Sequence, residues 1–182
     1  MLKEITLKII QLIIAPEKAW RKLSAHQNHE AFINRYLHPI FGVISLTSFI
    51  GGLWIVEGGN IEIALKESIR SLVTAYGGYY IASYILNEYL PRFGIPKNQL
   101  KTQQFVGYSS GLLYALYIIT PFIPYLIILQ LFTLYTVYIV YTGYGVYITG
   151  KEEHRMHFTG IATTFVLLTP AIIKGILSIL IK

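Results

Sequence analysis

Residues 37–56 read LHPIFGVISLTSFIGGLWIV, twenty positions without Asp, Glu, Lys or Arg. Wound as a helix, this run is about 30 Å long, the thickness of the hydrocarbon core of a bilayer. The rest of the chain has the same character. Of 182 residues, 54% are hydrophobic and 13% are charged, where a soluble domain carries about 25% charged residues. So much apolar surface exceeds what one small core hides, and lipid is the expected solvent. Tyrosine occurs 15 times, as suits side chains that straddle apolar and wet zones. Cysteine is absent, which excludes disulfides, thiolate metal sites and Cys nucleophiles.

Working outward from residues 37–56, five stretches are long enough to cross: about 36–56, 71–90, 102–120, 122–149 and 157–181. The expected fold is an all-α bundle of five transmembrane helices, one membrane domain over 36–182. A cytoplasmic lead over 1–35 precedes it. Between the third and fourth spans lies only TPFIP, residues 120–124, a tight antiparallel turn set by proline. The fourth span is long enough to tilt.

Basic residues set the orientation. Lys3, Lys8, Lys18, Arg21, Lys22, Arg35, Arg92, Lys97, Lys101, Lys151 and Arg155 fall on one side of the expected spans; Lys66, Arg70 and Lys182 fall on the other. Positive residues stay inside, so the N-terminus is expected in the cytoplasm and the C-terminus outside. The net charge of +6 is spread through short loops beside apolar spans. It reads as topology signal and contact with anionic head groups, not as nucleic-acid binding.

The lead contains IIAPEKAW, residues 13–20. The apolar run before Pro16 is too short to span, and Lys8 interrupts it as it would not a signal peptide. Leu2, Ile5, Ile9, Leu12 and Ile13 recur at helical spacing, giving an amphipathic helix in the interface with that face toward acyl chains. Pro16 suits the first turn of a second helix. Trp20 is then expected as an anchor at head-group depth, with Lys18, Arg21 and Lys22 on anionic lipid. The competing reading is that the lead packs against the bundle.

Other patterns carry candidate roles. Gly107, Gly111 and Ala115 form a small-residue stripe that admits a close helix backbone, with Gly77 and Gly78, or Ala171 and Gly175, as its partner. The same Gly-x-x-x-Gly allows a homodimer. Gly107-Tyr108-Ser109-Ser110-Gly111 matches Gly-x-Ser-x-Gly literally, but in a predicted helix instead of a strand-to-helix turn. His26-x-x-His29-Glu30 and His154-x-x-His157 have a spacing that zinc accepts, although interfacial histidines commonly meet only water and head groups. Glu88 and Lys174 lie near opposite ends of the spans, Lys174 snorkelling. Glu88, Gln130 and Tyr138 would line any polar path. The tyrosines at 125, 135, 138, 141, 144 and 147 of the fourth span wind round the helix and need hydrogen-bond partners. No catalytic residue, metal or cofactor is expected.

The apolar run followed by Pro16-Glu17-Lys18-Ala19-Trp20, Gly107-Tyr108-Ser109, and the Tyr-rich stretch from Leu134 running into a charged loop together resemble the bacterial branch of the Yip family (Ypt/Rab-GTPase-interacting proteins). The acidic Asp-Leu-Tyr-Gly-Pro motif of the trafficking members is absent, and Gly150 stands where many relatives have proline. The resemblance implies a multi-pass protein with a cytoplasmic N-terminus, in the inner membrane if bacterial. The expected function is a non-enzymatic organiser or adaptor that recruits a partner at the cytoplasmic face. The alternatives are a transporter, or subunit of one, for a small molecule, lipid or ion, and, more distantly, a serine hydrolase.

Overall fold

A computed structural model describes residues 2–25, 28–123 and 127–181; the side chains of Leu2 and Ile127 lie outside that description, as do His26, Tyr125 and Lys182. Among the described residues every regular element is helical. The lead forms α1 (Leu2–Ile14) and α2 (Pro16–Ala25). Pro16 marks the break between them, since its fixed φ suits a first helical turn and its ring supplies no amide.

A short α3 (His29–Phe32) runs through a wide π turn, Ile33–Leu37, into α4 (His38–Trp54). The wide turn accommodates Pro39, which has no N–H to continue the α ladder. Next come α5 (Ile61–Tyr89), α6 (Gln99–Ser109) and α7 (Gly111–Ile119). A 3-10 stretch, Ile127–Tyr135, leads into α8 (Thr136–Gly143) and a second π turn, Tyr144–Ile148; α9 (Arg155–Leu180) ends the bundle. Three asparagines set helix starts. The side-chain oxygens of Asn28, Asn60 and Asn98 accept from the amides of Ala31, Ile63 and Lys101 at 2.9, 3.0 and 3.0 Å, satisfying donors that a helix start leaves open.

Helix α5 is the hub, packed on α4, α9 and α6. Two glycines let its neighbours close in. A Cβ on Gly78 would sit 2.7 Å from Pro170 Cβ and 3.0 Å from Pro170 Cα of α9, and one on Gly52 of α4 would sit 2.8 Å from Ala64 Cα. The outside of the bundle carries exposed Leu46, Leu65, Val73, Phe132, Leu168 and Ile176. A soluble protein does not leave so continuous an apolar exterior in water.

His29–Trp54, Ile128–Ile148 and Glu152–Leu180 are each long and apolar enough to cross a membrane, and α6 with α7, bent by 45° at Ser110, makes a fourth candidate. The second expected span, 71–90, lies in α5. That helix has 29 residues, but Tyr76, Gly77, Gly78, Tyr79, Tyr80, Tyr84, Asn87 and Glu88 dilute its apolar character, and it is not among the candidates. The first apolar helix begins at His29, inside the stretch assigned to the lead. The expected fourth span, 122–149, contains the Ile128–Ile148 helix, which passes from 3-10 through α to π along its length.

The lead itself is part of the core. Ile5, Ile9, Leu12, Pro16, Ala19 and Trp20 are buried against protein. The face of α1 assigned to acyl chains therefore packs on the bundle, because α7 and Tyr36 offer it an apolar seat. Trp20 is 0% exposed. Its ring lies 5.3 Å from Phe105 and 5.2 Å from Tyr147, and its Nε1–H donates to the Ile139 carbonyl at 3.0 Å. It is a tether to protein and not a head-group anchor. Trp20→Ala should lower the thermal midpoint by roughly 10 °C, the size expected for emptying a buried tryptophan site. Trp54→Ala, at a site 72% exposed, should leave it unchanged. Thermal unfolding of both variants in detergent or nanodiscs decides this.

Candidate functional site: the aromatic core around the bend in the third span

The bend between α6 and α7 gathers residues from four parts of the chain. Gly107 leaves room for a ring: a Cβ there would collide with Phe32 Cζ and lie 3.3 Å from Tyr79 Cε2. The Tyr108 ring meets Phe32 edge-on at 4.9 Å and Trp20 edge-on at 6.2 Å, and lies tilted 4.8 Å from Tyr36. Phe41 of α4 lies 6.1 Å from Tyr79 and 5.2 Å from Tyr114. On the other side, Phe105 stacks toward Tyr147 and Phe158, and Phe158 reaches Phe93. One aromatic column thus runs through the bundle, with Tyr108 joining its two halves. Ring pairs at these distances each add about 0.5–1.5 kcal/mol beyond area burial.

Along the fourth span three tyrosine hydroxyls find partners, while the buried Thr136 hydroxyl has none among the described residues. Tyr135 donates to the Ile13 carbonyl at 2.9 Å, Tyr144 to the Lys151 carbonyl at 2.9 Å and Tyr147 to Gln104 Oε1 at 2.6 Å. Tyr141 lies beneath the Arg155 guanidinium at 3.8 Å. At the bend, the hydroxyls of Tyr36, Tyr79 and Ser109 are buried and, among the described residues, have no hydrogen-bond partner. Ser110 Oγ donates to the Val106 carbonyl at 2.8 Å and keeps its lone pairs free to accept from the Tyr114 hydroxyl beside it. Leaving one hydroxyl dry costs about 1–3 kcal/mol on mutational scales and more on transfer scales. Three together are a sizeable part of the whole stability of a typical domain, about 5–15 kcal/mol.

Of the residues singled out in the sequence, Pro16 and Trp20 face the core, while Lys18, Arg21 and Lys22 are exposed on the opposite side of α2. Arg21 pairs with Glu17 at 2.7 Å. The Gly107, Gly111, Ala115 stripe does not seat a helix backbone. It is bent at Ser110, and Gly111 faces the Tyr36 hydroxyl, Ile9 and Leu12. The stripe is filled by rings and by the lead helix of its own chain, which takes this surface away from a homodimer. Gly77 and Gly78 receive Ile173 and Pro170 of α9 instead.

Glu88, Gln130 and Tyr138 line no common path. Glu88 is ion-paired with Lys97, and all three side chains are on the surface. Ser109 has no base addressing it. Among the described residues no three His, Asp or Glu side chains gather into a metal-ligating group; His26 lies outside them. The residues that composition did not flag are Tyr36, Tyr79 and Tyr114. A signal was present for two of them, since tyrosine is also frequent in the second and third spans, but the regular three-residue spacing from Tyr135 drew attention to the fourth.

A second feature sits where the α5–α6 loop meets the chain after Tyr147. A cleft of about 280 Å³ is lined by Phe93, Gly94, Asn98, Lys101, Thr149 and Lys151 among others. Lys101 Nζ reaches only the Ile148 carbonyl, at 3.4 Å, and lies over the Tyr147 ring. Among the described residues it has no carboxylate partner.

Apolar helices of spanning length, an apolar exterior and an aromatic interior define an integral multi-pass membrane protein. The family model described as the Yip1 domain matches residues 10–181, and the chain belongs to that family. The matched stretch takes in α2 with Trp20, in keeping with a lead that is built into the bundle. Neither a curated protein nor a solved structure matches the chain.

The packing at Gly107 has a direct test. Gly107→Ala should lower stability by about 1–3 kcal/mol, the cost of overpacking, because the Phe32 ring is held by Tyr36, Tyr79 and Tyr108. Phe32→Leu in the same chain should recover part of that loss, whereas Gly160→Ala, where nothing lies within 4 Å, should be neutral. A double-mutant cycle on thermal midpoints reads the coupling.

Proposed function

We propose that this Yip1-domain protein is a non-enzymatic organiser or adaptor of the cytoplasmic membrane face, a five-span bundle with its N-terminus inside and its C-terminus outside, in the inner membrane of a bacterial cell. One observation carries the reading. The lead helices have two working faces. Ile5, Ile9, Leu12 and Trp20 fix the lead to the bundle, while Leu7, Ile10 and Ile14 of α1 and Lys18, Arg21 and Lys22 of α2 point away from it. Exposed apolar residues beside basic ones suit a surface that sits among lipid head groups and gathers anionic ones, or receives a protein partner there. The lead is held rigidly, so whatever it gathers is held in fixed relation to the bundle. The transport reading has lost its path, since Glu88, Gln130 and Tyr138 stand apart on the surface.

Removing the whole lead is not a clean test, because Trp20 and α1 belong to the core. The exposed face alone can be changed. With Lys18→Gln, Arg21→Gln and Lys22→Gln combined, the thermal midpoint should hold. Preference for phosphatidylglycerol over phosphatidylcholine, measured by spin-labelled lipid in reconstituted vesicles, should fall on the order of a hundredfold at most, at about 1 kcal/mol per basic residue. Unchanged preference in a folded triple variant contradicts the reading.

A further inference from the structure

We propose that the cleft between the α5–α6 loop and residues 148–151 binds one phosphate group, with Lys101 as its cation. The cleft has a volume of about 280 Å³. That is just under the size of pockets that take whole drug-sized molecules, about 300–1,000 Å³, and it suits a single head group. None of the lining residues belongs to the lead, so the site does not rest on the exposed face of α1 and α2.

Charge points to the guest. Lys101 lines the cleft and is partly buried. An ammonium carries three donors. One reaches the Ile148 carbonyl, at a long 3.4 Å, and the centre of the Tyr147 ring lies 5.8 Å from Nζ. Tyr147 brings no negative charge, since its hydroxyl donates to Gln104. Among the described residues no lining side chain is acidic, and Lys151 adds a second positive charge. The nearby carboxylates are engaged elsewhere. Glu88 pairs with Lys97, and Glu153 lies 3.8 Å from Lys151. A cation drawn out of water without a carboxylate is costly, and an anion from outside the chain supplies the missing charge.

Position selects phosphate among anions. The bent α6–α7 pair begins at Gln99, one helix of spanning length ends at Ile148 and the next begins at Glu152. The cleft therefore lies at the edge of the apolar region, at the depth of lipid phosphates. Both of its walls are tied down by the chain itself. Asn87 Oδ1 accepts from the Asn98 amide at 2.9 Å and from the Thr102 hydroxyl at 3.2 Å. Across the cleft, the Tyr144 hydroxyl donates to the Lys151 carbonyl at 2.9 Å, and Thr149 is held left-handed at φ 61°. A site fixed in this way loses little freedom when it is filled.

The full chain in a non-ionic detergent can be titrated with short-chain phosphatidylglycerol and, separately, with potassium phosphate against potassium chloride at equal ionic strength. At about a hundred times its dissociation constant, the anion that the site takes should raise the thermal midpoint by about 5–10 °C. A rise with the lipid alone assigns the site to a head group. A rise with inorganic phosphate assigns it to a soluble phosphate. In either case Lys101→Gln should weaken the apparent affinity about tenfold to a hundredfold, the loss of one charge-assisted hydrogen bond. Lys101→Arg should keep most of it, and Lys174→Gln, on the exposed face of α9, should change nothing. No rise with either anion overturns the proposal, and so does a rise that Lys101→Gln leaves unchanged.

Discussion

The seating of the Trp20 indole between Phe105 and Tyr147, with its N–H on the Ile139 carbonyl, is the contact on which the rest of the structure depends. It joins the lead to two helices far away in sequence. It needs Gly143, where a Cβ would lie 2.7 Å from the indole. Inside a bilayer, apolar surface gains little by leaving lipid for protein, so helix association there rests on close packing and hydrogen bonds. A large ring with one polar atom supplies both. Phe105 passes the packing on to Phe158, and Tyr108 passes it to Phe32 and Tyr36.

The bend at Ser110 is the counterpart of that tether. A straight third span would carry Gly107 and Gly111 on one face. The 45° bend turns α7 toward α1. The two features meet in the lead, which is fixed through Trp20 and closes over Gly111 through Ile9 and Leu12. A membrane protein built this way has its lead and its interior in direct contact.

Much of the architecture was legible. The uncharged run at 37–56, the break at Pro16 and the apolar periodicity of the lead are local signals, and each corresponds to a helix or a helix end. What the lead packs against was not legible. An amphipathic face shows that a helix has an apolar partner but not whether that partner is acyl chain or protein, and Ile5, Ile9 and Trp20 suit both. The small-residue stripe misled for a related reason. Gly107 does mark a close approach, yet the spacing alone does not distinguish a helix backbone from the edge of the Phe32 ring. Glu88 and Tyr138 looked like a path only while their faces were unknown. The meeting of Tyr36, Tyr79 and Tyr114 around Phe32 and Phe41 is a property of three-dimensional convergence, which no window along the chain reports.

The most direct measurement is the quenching of Trp20. Trp54→Phe leaves Trp20 as the single tryptophan, and Trp20→Phe leaves the exposed Trp54 as its reference. In vesicles containing brominated lipid, the account predicts that Trp20 emission is spared while Trp54 is quenched, and that acrylamide also fails to reach Trp20. Quenching of Trp20 as strong as that of Trp54 would place the ring in the lipid and contradict a core built around it.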